Sequence, residues 1–290
     1  MLAEALPVWD IEPDIEEESG LSPAQCVLSG KHGIDIPNEQ YHSMAGISGS
    51  NLELLANSNK HLDNKVLFNL DRTDALVFGS LVHTLTLEPH LFSTEFVISP
   101  KFDLRTSAGK IDKAAFDDKH DDKTVIKNED FLKASKMARN VIAICGDVID
   151  QGKKERSYFS DYDGLLLKIR PDIYVQETGA DWDVKTISPK NLDMSDKALE
   201  RHILNMGYHI SAGFRNIVRK SLGMKTGDFY FIFASTSTGH LVRPIKIANE
   251  WVSEAENYVN ELLNTRRFYL ESGIDTGIKT IDRSSRKYEI

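Results

Sequence analysis

The chain has 290 residues, 41% of them hydrophobic, enough to build a sizeable core, most simply within one large domain. Two cysteines, Cys26 and Cys145, exclude a disulfide framework and point to a reducing compartment. No apolar run reaches the length of a membrane span and no basic-then-apolar leader opens the chain, so no membrane association and a cytoplasmic location are expected. The net charge of −9 argues against a surface that coats DNA, but its distribution matters: Glu4, Asp10, Glu12, Asp14, Glu16, Glu17 and Glu18 lie within residues 1–20, which hold no Lys or Arg, leaving −2 for the rest. A body that close to neutrality can still line one channel with positive charge.

In chain order, residues 1–30 read as an acidic, flexible segment, 31–271 as a single domain and 272–290 as a polar tail. Ser50-Asn51-Leu52-Glu53 has the form of a capping box opening a short helix. Residues 75–87 carry Leu76, Leu81, Val82 and Leu85 at helical spacing, with Asp74 available as the N-cap. Gly79 and His83 share one face of that helix, so His83 is either a hydrogen-bonded core histidine or one presented to a cleft. Arg105 to Lys110 form a Gly-containing basic stretch, either a phosphate-binding loop or a mobile surface loop. Lys119 to Lys127 is charged and predicts a loop or helix end, whereas residues 129–144 predict an amphipathic helix packed on a sheet. Glu155 follows two lysines at a strand start, as a solvated charge or a functional carboxylate.

The most informative stretch runs from Arg170 to Thr186. Leu165-Leu166-Leu167-Lys168-Ile169-Arg170 is mostly apolar, as expected of a strand inside an α/β sheet, and leads into Pro171-Asp172. After a turn at residues 177–180, a second strand carries Asp183-Val184-Lys185-Thr186. Alternation puts Asp183 and Lys185 on one face and Val184 on the other. Two carboxylates and an ammonium at neighbouring strand ends suit metal-assisted phosphodiester hydrolysis: carboxylates hold Mg²⁺ while the lysine orients or helps deprotonate a water. Beyond it, Lys197–Met206 and Tyr208–Arg219 predict helices broken near Gly207, Asp228–Ala234 and Leu241–Ile247 a hairpin, and Asn249–Leu270 a long closing helix.

These motifs resemble the PD-(D/E)XK nuclease superfamily, and within it the exonuclease VIII (RecE-type) branch of phage and prophage exonucleases. The likeness includes Tyr41-His42-Ser43 through Ile47-Ser48-Gly49-Ser50-Asn51-Leu52, Phe78 to Leu85 with Glu88-Pro89, Arg105-Thr106-Ser107-Ala108-Gly109-Lys110 and Glu155-Arg156-Ser157. The resemblance implies a restriction-endonuclease-like α/β core with a mixed central sheet flanked by helices. It implies Asp172 and Asp183 as metal ligands, Lys185 as the catalytic lysine, His83 as a further metal-site residue and Glu155 as a helper carboxylate. Ser48, Ser50, Arg170 and Tyr208 join Arg105 and Lys110 as candidate DNA contacts; Lys101, Lys153, Lys154, Lys168, Arg215 and Arg219 are further basic candidates.

The activity implied is a Mg²⁺-dependent exodeoxyribonuclease, with Mn²⁺ able to substitute, acting on duplex DNA ends. Degradation would run 5′→3′, leaving 3′ overhangs for a single-strand annealing partner, with the subunits in a ring. One motif departs from the pattern. Where the family reads Y-H-x-Q-x-x-x-Y, this chain has Ser211 at the glutamine position and Arg215 at the second tyrosine position. A related endonuclease or single-strand nuclease, and a catalytically silent phage DNA-binding protein, remain as alternatives.

Overall fold

Period-two alternation in the strands and 3.6-residue periodicity in the helices sort this chain into a sheet with helices on both faces. The computed structural model describes residues 22–64, 73–188 and 193–275. The first part is mostly helical: α1 (Pro23–Ser29), α2 (Asn38–Ser43), α3 (Leu52–Asn57), α4 (Asn59–Asp63), α5 (Asp74–Leu87) and α6 (Phe92–Glu95). Strand β1 (Phe96–Ser99), α7 (Ser107–Lys119), β2 (Thr124–Lys127) and α8 (Asn128–Gln151) follow. Next come β3 (Lys153–Lys154), β4 (Tyr158–Tyr162), β5 (Leu165–Ile169), β6 (Ile173–Val175) and β7 (Ala180–Ile187). The chain then forms α9 (Asp196–Asn205), α10 (Tyr208–Ser221), β8 (Phe229–Ser235), β9 (Val242–Lys246) and α11 (Asn249–Ser272).

The central sheet is mixed, in the order β3-β6-β7-β8-β9, with β7 and β8 parallel and the other pairs antiparallel. Alternation along β8 decides what covers each face. Ile232 and Ala234 pack with Val184 against Leu81 and Val82 of α5 and Met137 and Val141 of α8. Phe229, Phe231 and Phe233 pack on the other face with Leu199 and Ile203 of α9 and Ala212 of α10. Helices α10 and α11 approach closely where Gly213 has no side chain, since a Cβ there would lie 2.6 Å from the Glu256 backbone nitrogen. Among the described residues, no helix is long and apolar enough to cross a membrane.

Several local expectations change. The apolar strand at 165–169 lies outside the central sheet, paired with β4 in a two-stranded ribbon. It is apolar because both its faces are covered: Leu165, Leu167 and Ile169 pack beside α10 and α11 residues, and Leu166 packs on Tyr41 and Phe159. Thr73, not Asp74, caps α5, and the capping box opens at Ser48 with Asn51 rather than at Ser50. Within the Arg105–Lys110 stretch only Arg105 and Thr106 lie in a turn, and Ser107–Lys110 open α7. Thr106 caps α7 by accepting the Gly109 N–H at 3.0 Å, so that amide is unavailable to a phosphate. Thr124–Lys127 forms a strand parallel to β1 in place of a loop. Within the segment expected to be flexible, Ser22 caps α1 and Cys26 is fully buried; residues 1–21 and 276–290 lie outside the described residues. The Gly207 break, the β8–β9 hairpin and the long α11 form as the sequence predicts.

Candidate active site

Strand β6 is short, and its pairing with β7 runs back from Val175 opposite Ala180 to Ile173 opposite Trp182. Asp172, one residue earlier, therefore stands across from Asp183. Among the described residues, strand β7 runs on to Ile187 beside β8 alone, with no further strand on its other edge. On that edge the Val184 N–H donates to Asp172 Oδ2 at 2.7 Å, and the Val184 carbonyl lies 2.7 Å from His83 Nε2. A carbonyl only accepts, so Nε2 is the protonated nitrogen and Nδ1 faces the carboxylates. His83 reaches the edge because α5 crosses β7 at Gly79, where a Cβ would sit 3.4 Å from Thr186 Oγ1.

Glu155 enters from the end of β3. Its N–H donates to the Asp172 carbonyl at 3.2 Å, and its backbone has φ of 49°, a left-handed conformation that costs a side-chain-bearing residue on the order of 1 kcal/mol. Arg170 holds the strained residue in place: Nε donates to Glu155 Oε2 at 2.9 Å and Nη1 to the Ile36 carbonyl at 2.6 Å. His83 Nδ1 is 3.5 Å from Asp172 and 3.8 Å from Glu155. Ligand atoms of His83, Glu155 and Asp172 all lie within 4.8 Å of one another, so together they could hold a metal ion.

Asp183 is set differently. It is buried, with Lys185 on Oδ2 and Arg215 on Oδ1. Arg215 also stands 3.6 Å from Asp181, whose second oxygen accepts from buried Arg219 at 2.6 Å. Lys185 lies over the Tyr208 ring at 5.3 Å.

These contacts set the charges. Burial opposes the imidazolium of His83, but the Asp172 and Glu155 carboxylates overrule it and hold His83 up at about 9. Burial and the neighbouring Asp183 charge push Asp172 up to about 7. Asp183 goes the other way: burial would raise it, yet the Lys185 and Arg215 cations hold it well below the usual carboxylate range. Burial would lower Lys185, but Asp183 and Asp172 keep it an ammonium, above its ordinary value. Glu155 is likewise lowered against burial, by its hydrogen bond to His83 and by Arg170.

A family model described as a PDDEXK-like domain of unknown function (DUF3799) matches residues 41–268. The chain belongs to this family. No curated protein matches the PDDEXK-like chain. Among solved structures, a protein of Eubacterium rectale provisionally named an exonuclease aligns at 18% identity and TM-score 0.53, over 83% of this chain and 89% of that one. At that identity the likeness is one of fold. A second structure, that of SSO0001, aligns at 11% identity and TM-score 0.25 over 66% of this chain and 90% of that one, and carries no argument.

Within this PDDEXK-like domain the structure gathers His83, Glu155, Asp172, Asp183 and Lys185 around the open edge of β7. The three groups that converge are His83, Glu155 and Asp172, whereas the sequence placed Asp183 with His83 and Asp172. The donor set, two carboxylates and an imidazole, fits a divalent cation. Each donor is oriented by a second partner, Arg170, the Val184 N–H or the Val184 carbonyl.

The expected DNA contacts scatter. The Arg170 side chain is 8% exposed and braces Glu155, a positioning task. Lys168 is buried, its ammonium donating to the carbonyls of Tyr41 and Met44 at 2.6 Å each, and Arg219 is buried on Asp181. Ser48 and Ser50 bond to each other across a helix cap, and Arg105 and Lys110 are exposed at the start of α7. Sequence reasoning missed Glu88 as a neighbour of the site and took Arg215 for a basic DNA-channel residue rather than a partner of Asp183. Arg215 was visible as a departure from a motif, but its contact with Asp183 depends on how α10 lies against β7.

Proposed function

We propose that this chain is a metal-dependent exodeoxyribonuclease that degrades linear duplex DNA from its ends, 5′→3′, leaving 3′ single strands for an annealing partner. The observation that carries the reading is the convergence of His83, Glu155 and Asp172 next to the Asp183–Lys185 pair, of which Asp183 is buried and Lys185 partly exposed. His83, Glu155 and Asp172 would hold Mg²⁺ or Mn²⁺, which supplies Lewis-acid activation of the water and charge neutralisation at the phosphate. Lys185, kept an ammonium by Asp183, donates hydrogen bonds to the attacking water or a phosphate oxygen and so orients the reaction. Arg170 fixes Glu155, and Tyr208 lies beneath Lys185.

End preference, the ring of subunits and cytoplasmic action complete the proposal. They rest on the RecE-type motifs and on charge: a near-neutral body binds internal phosphates weakly, so retention on DNA calls for encirclement. Arg105 and Lys110, both exposed, and Ser48 and Ser50 at a helix start would contact phosphates near a DNA end. The deciding assay compares end-labelled linear duplex with covalently closed circles, in Mg²⁺ and in chelator. Digestion of linear DNA alone, abolished by chelator, is expected. Nicking of circles at the same rate would favour an endonuclease. One observation favours a second reading, a catalytically silent DNA-binding protein: Arg215 occupies an oxygen of Asp183. Absence of cleavage with either metal, alongside retained DNA binding, would select it.

A further inference from the structure

We propose that Arg215 is a resident cation that limits this site to one divalent ion per chain, by holding the Asp183 oxygen that a second ion would need. The inference deepens the metal-dependent reading and rests on it. Two-metal sites hold their ions about 3.5–4 Å apart, so a second ion beside the one at His83, Glu155 and Asp172 would need an oxygen of Asp183. Here neither Asp183 oxygen is open: Lys185 stands on Oδ2 and Arg215 on Oδ1.

The guanidinium is not free to leave. Its side chain is only 11% exposed, it lies 5.4 Å from the centre of the Phe229 ring, and its other amino group faces Asp181 at 3.6 Å. Swinging it out would strip a counter-charge from two carboxylates that are themselves only 2% exposed, a strongly unfavourable step.

The test titrates the full chain with Mn²⁺, counting bound ions by electron paramagnetic resonance and calorimetry, with no DNA present. Wild type should bind one Mn²⁺ per chain, Arg215→Lys one, and Arg215→Gln, shown folded by circular dichroism, two. Two ions on wild type, or one on a folded Arg215→Gln, would overturn the inference. If Arg215→Gln does not fold, anomalous scattering from Mn²⁺-soaked wild-type crystals decides. A single peak near His83 with Arg215 still on Asp183 supports the inference, and a second peak beside Asp183 overturns it. No Mn²⁺ on wild type at all would remove the metal-dependent reading itself, and this inference with it.

Discussion

Replacing Glu88 by glutamine should stabilise the metal-free protein at alkaline pH and leave it nearly unchanged in acid. Glu88 caps the C-terminal end of α5, with its carboxylate 3.8 Å from Arg170 and its side chain 27% exposed. Burial, and then the charge of Glu155, push it from 4.5 up to about 7 despite Arg170. Between those two values the folded protein keeps the proton while the unfolded chain has already lost it. Stability therefore falls as pH rises through that window and stays at the lower level above it. Each pH unit in the window is worth about 1.4 kcal/mol, so the full span would approach about 3 kcal/mol; partial exposure brings the expectation to about 1–2 kcal/mol. Glutamine keeps the shape and has no charge to bury. Urea denaturation of both proteins in chelator at pH 5, 6, 7 and 8 should show curves that diverge up to neutrality and then run parallel. A constant gap across the range would refute the titration argument, and a variant less stable at pH 8 would mean that the Arg170 pair outweighs burial.

Asp172→Asn and Lys185→Met should each reduce cleavage by about a thousandfold or more with the fold intact by circular dichroism, in line with removing a metal ligand or a fixed cation; activity within tenfold of wild type would take that residue out of the mechanism. Because His83 is held protonated up to about 9 and must lose that proton to bind a metal, Mn²⁺ affinity should rise with pH toward that value. Calorimetry at neutral pH in buffers of different ionisation enthalpy should detect the released proton, and a flat pH profile would exclude His83 as a ligand. Gly213→Ala should destabilise the fold by about 1–3 kcal/mol, as overpacking at a tight helix crossing does, since its Cβ would lie 2.6 Å from the Glu256 nitrogen. An unchanged denaturation midpoint would show that α10 can shift away from α11.

What could be read from the sequence was what short-range pattern determines. Asp172, Asp183 and Lys185 were found because a turn and a two-residue period place them across neighbouring strands, and α8, α10, α11 and the β8–β9 hairpin follow from their own periodicity. Long-range packing was not legible. Lys168, Arg170 and Arg219 looked like a basic surface, but each points inward to carbonyls or carboxylates supplied by residues as distant as Tyr41, Ile36 and Asp181. The apolar strand at 165–169 looked like a central strand because burial on both faces reads the same in a ribbon as in a sheet. Thr106 and Gly109 read as a loop because a cap and a turn share the same residue types.

The way His83 and Asp172 meet Val184 has a consequence for solubility. Among the described residues, the strand from Ala180 to Ile187 has no strand beside it on one side beyond Trp182, and two side chains take up the hydrogen bonds that Val184 would have made to one. They act as a plug on an edge that would otherwise template pairing with another molecule. His83→Ala or Asp172→Ala would unmask that edge as well as remove a ligand, and should raise self-association in light scattering. An inactive variant of either residue is therefore informative about chemistry only when its state of association matches wild type, and Asp172→Asn, which keeps an acceptor for the Val184 N–H, is the cleaner substitution.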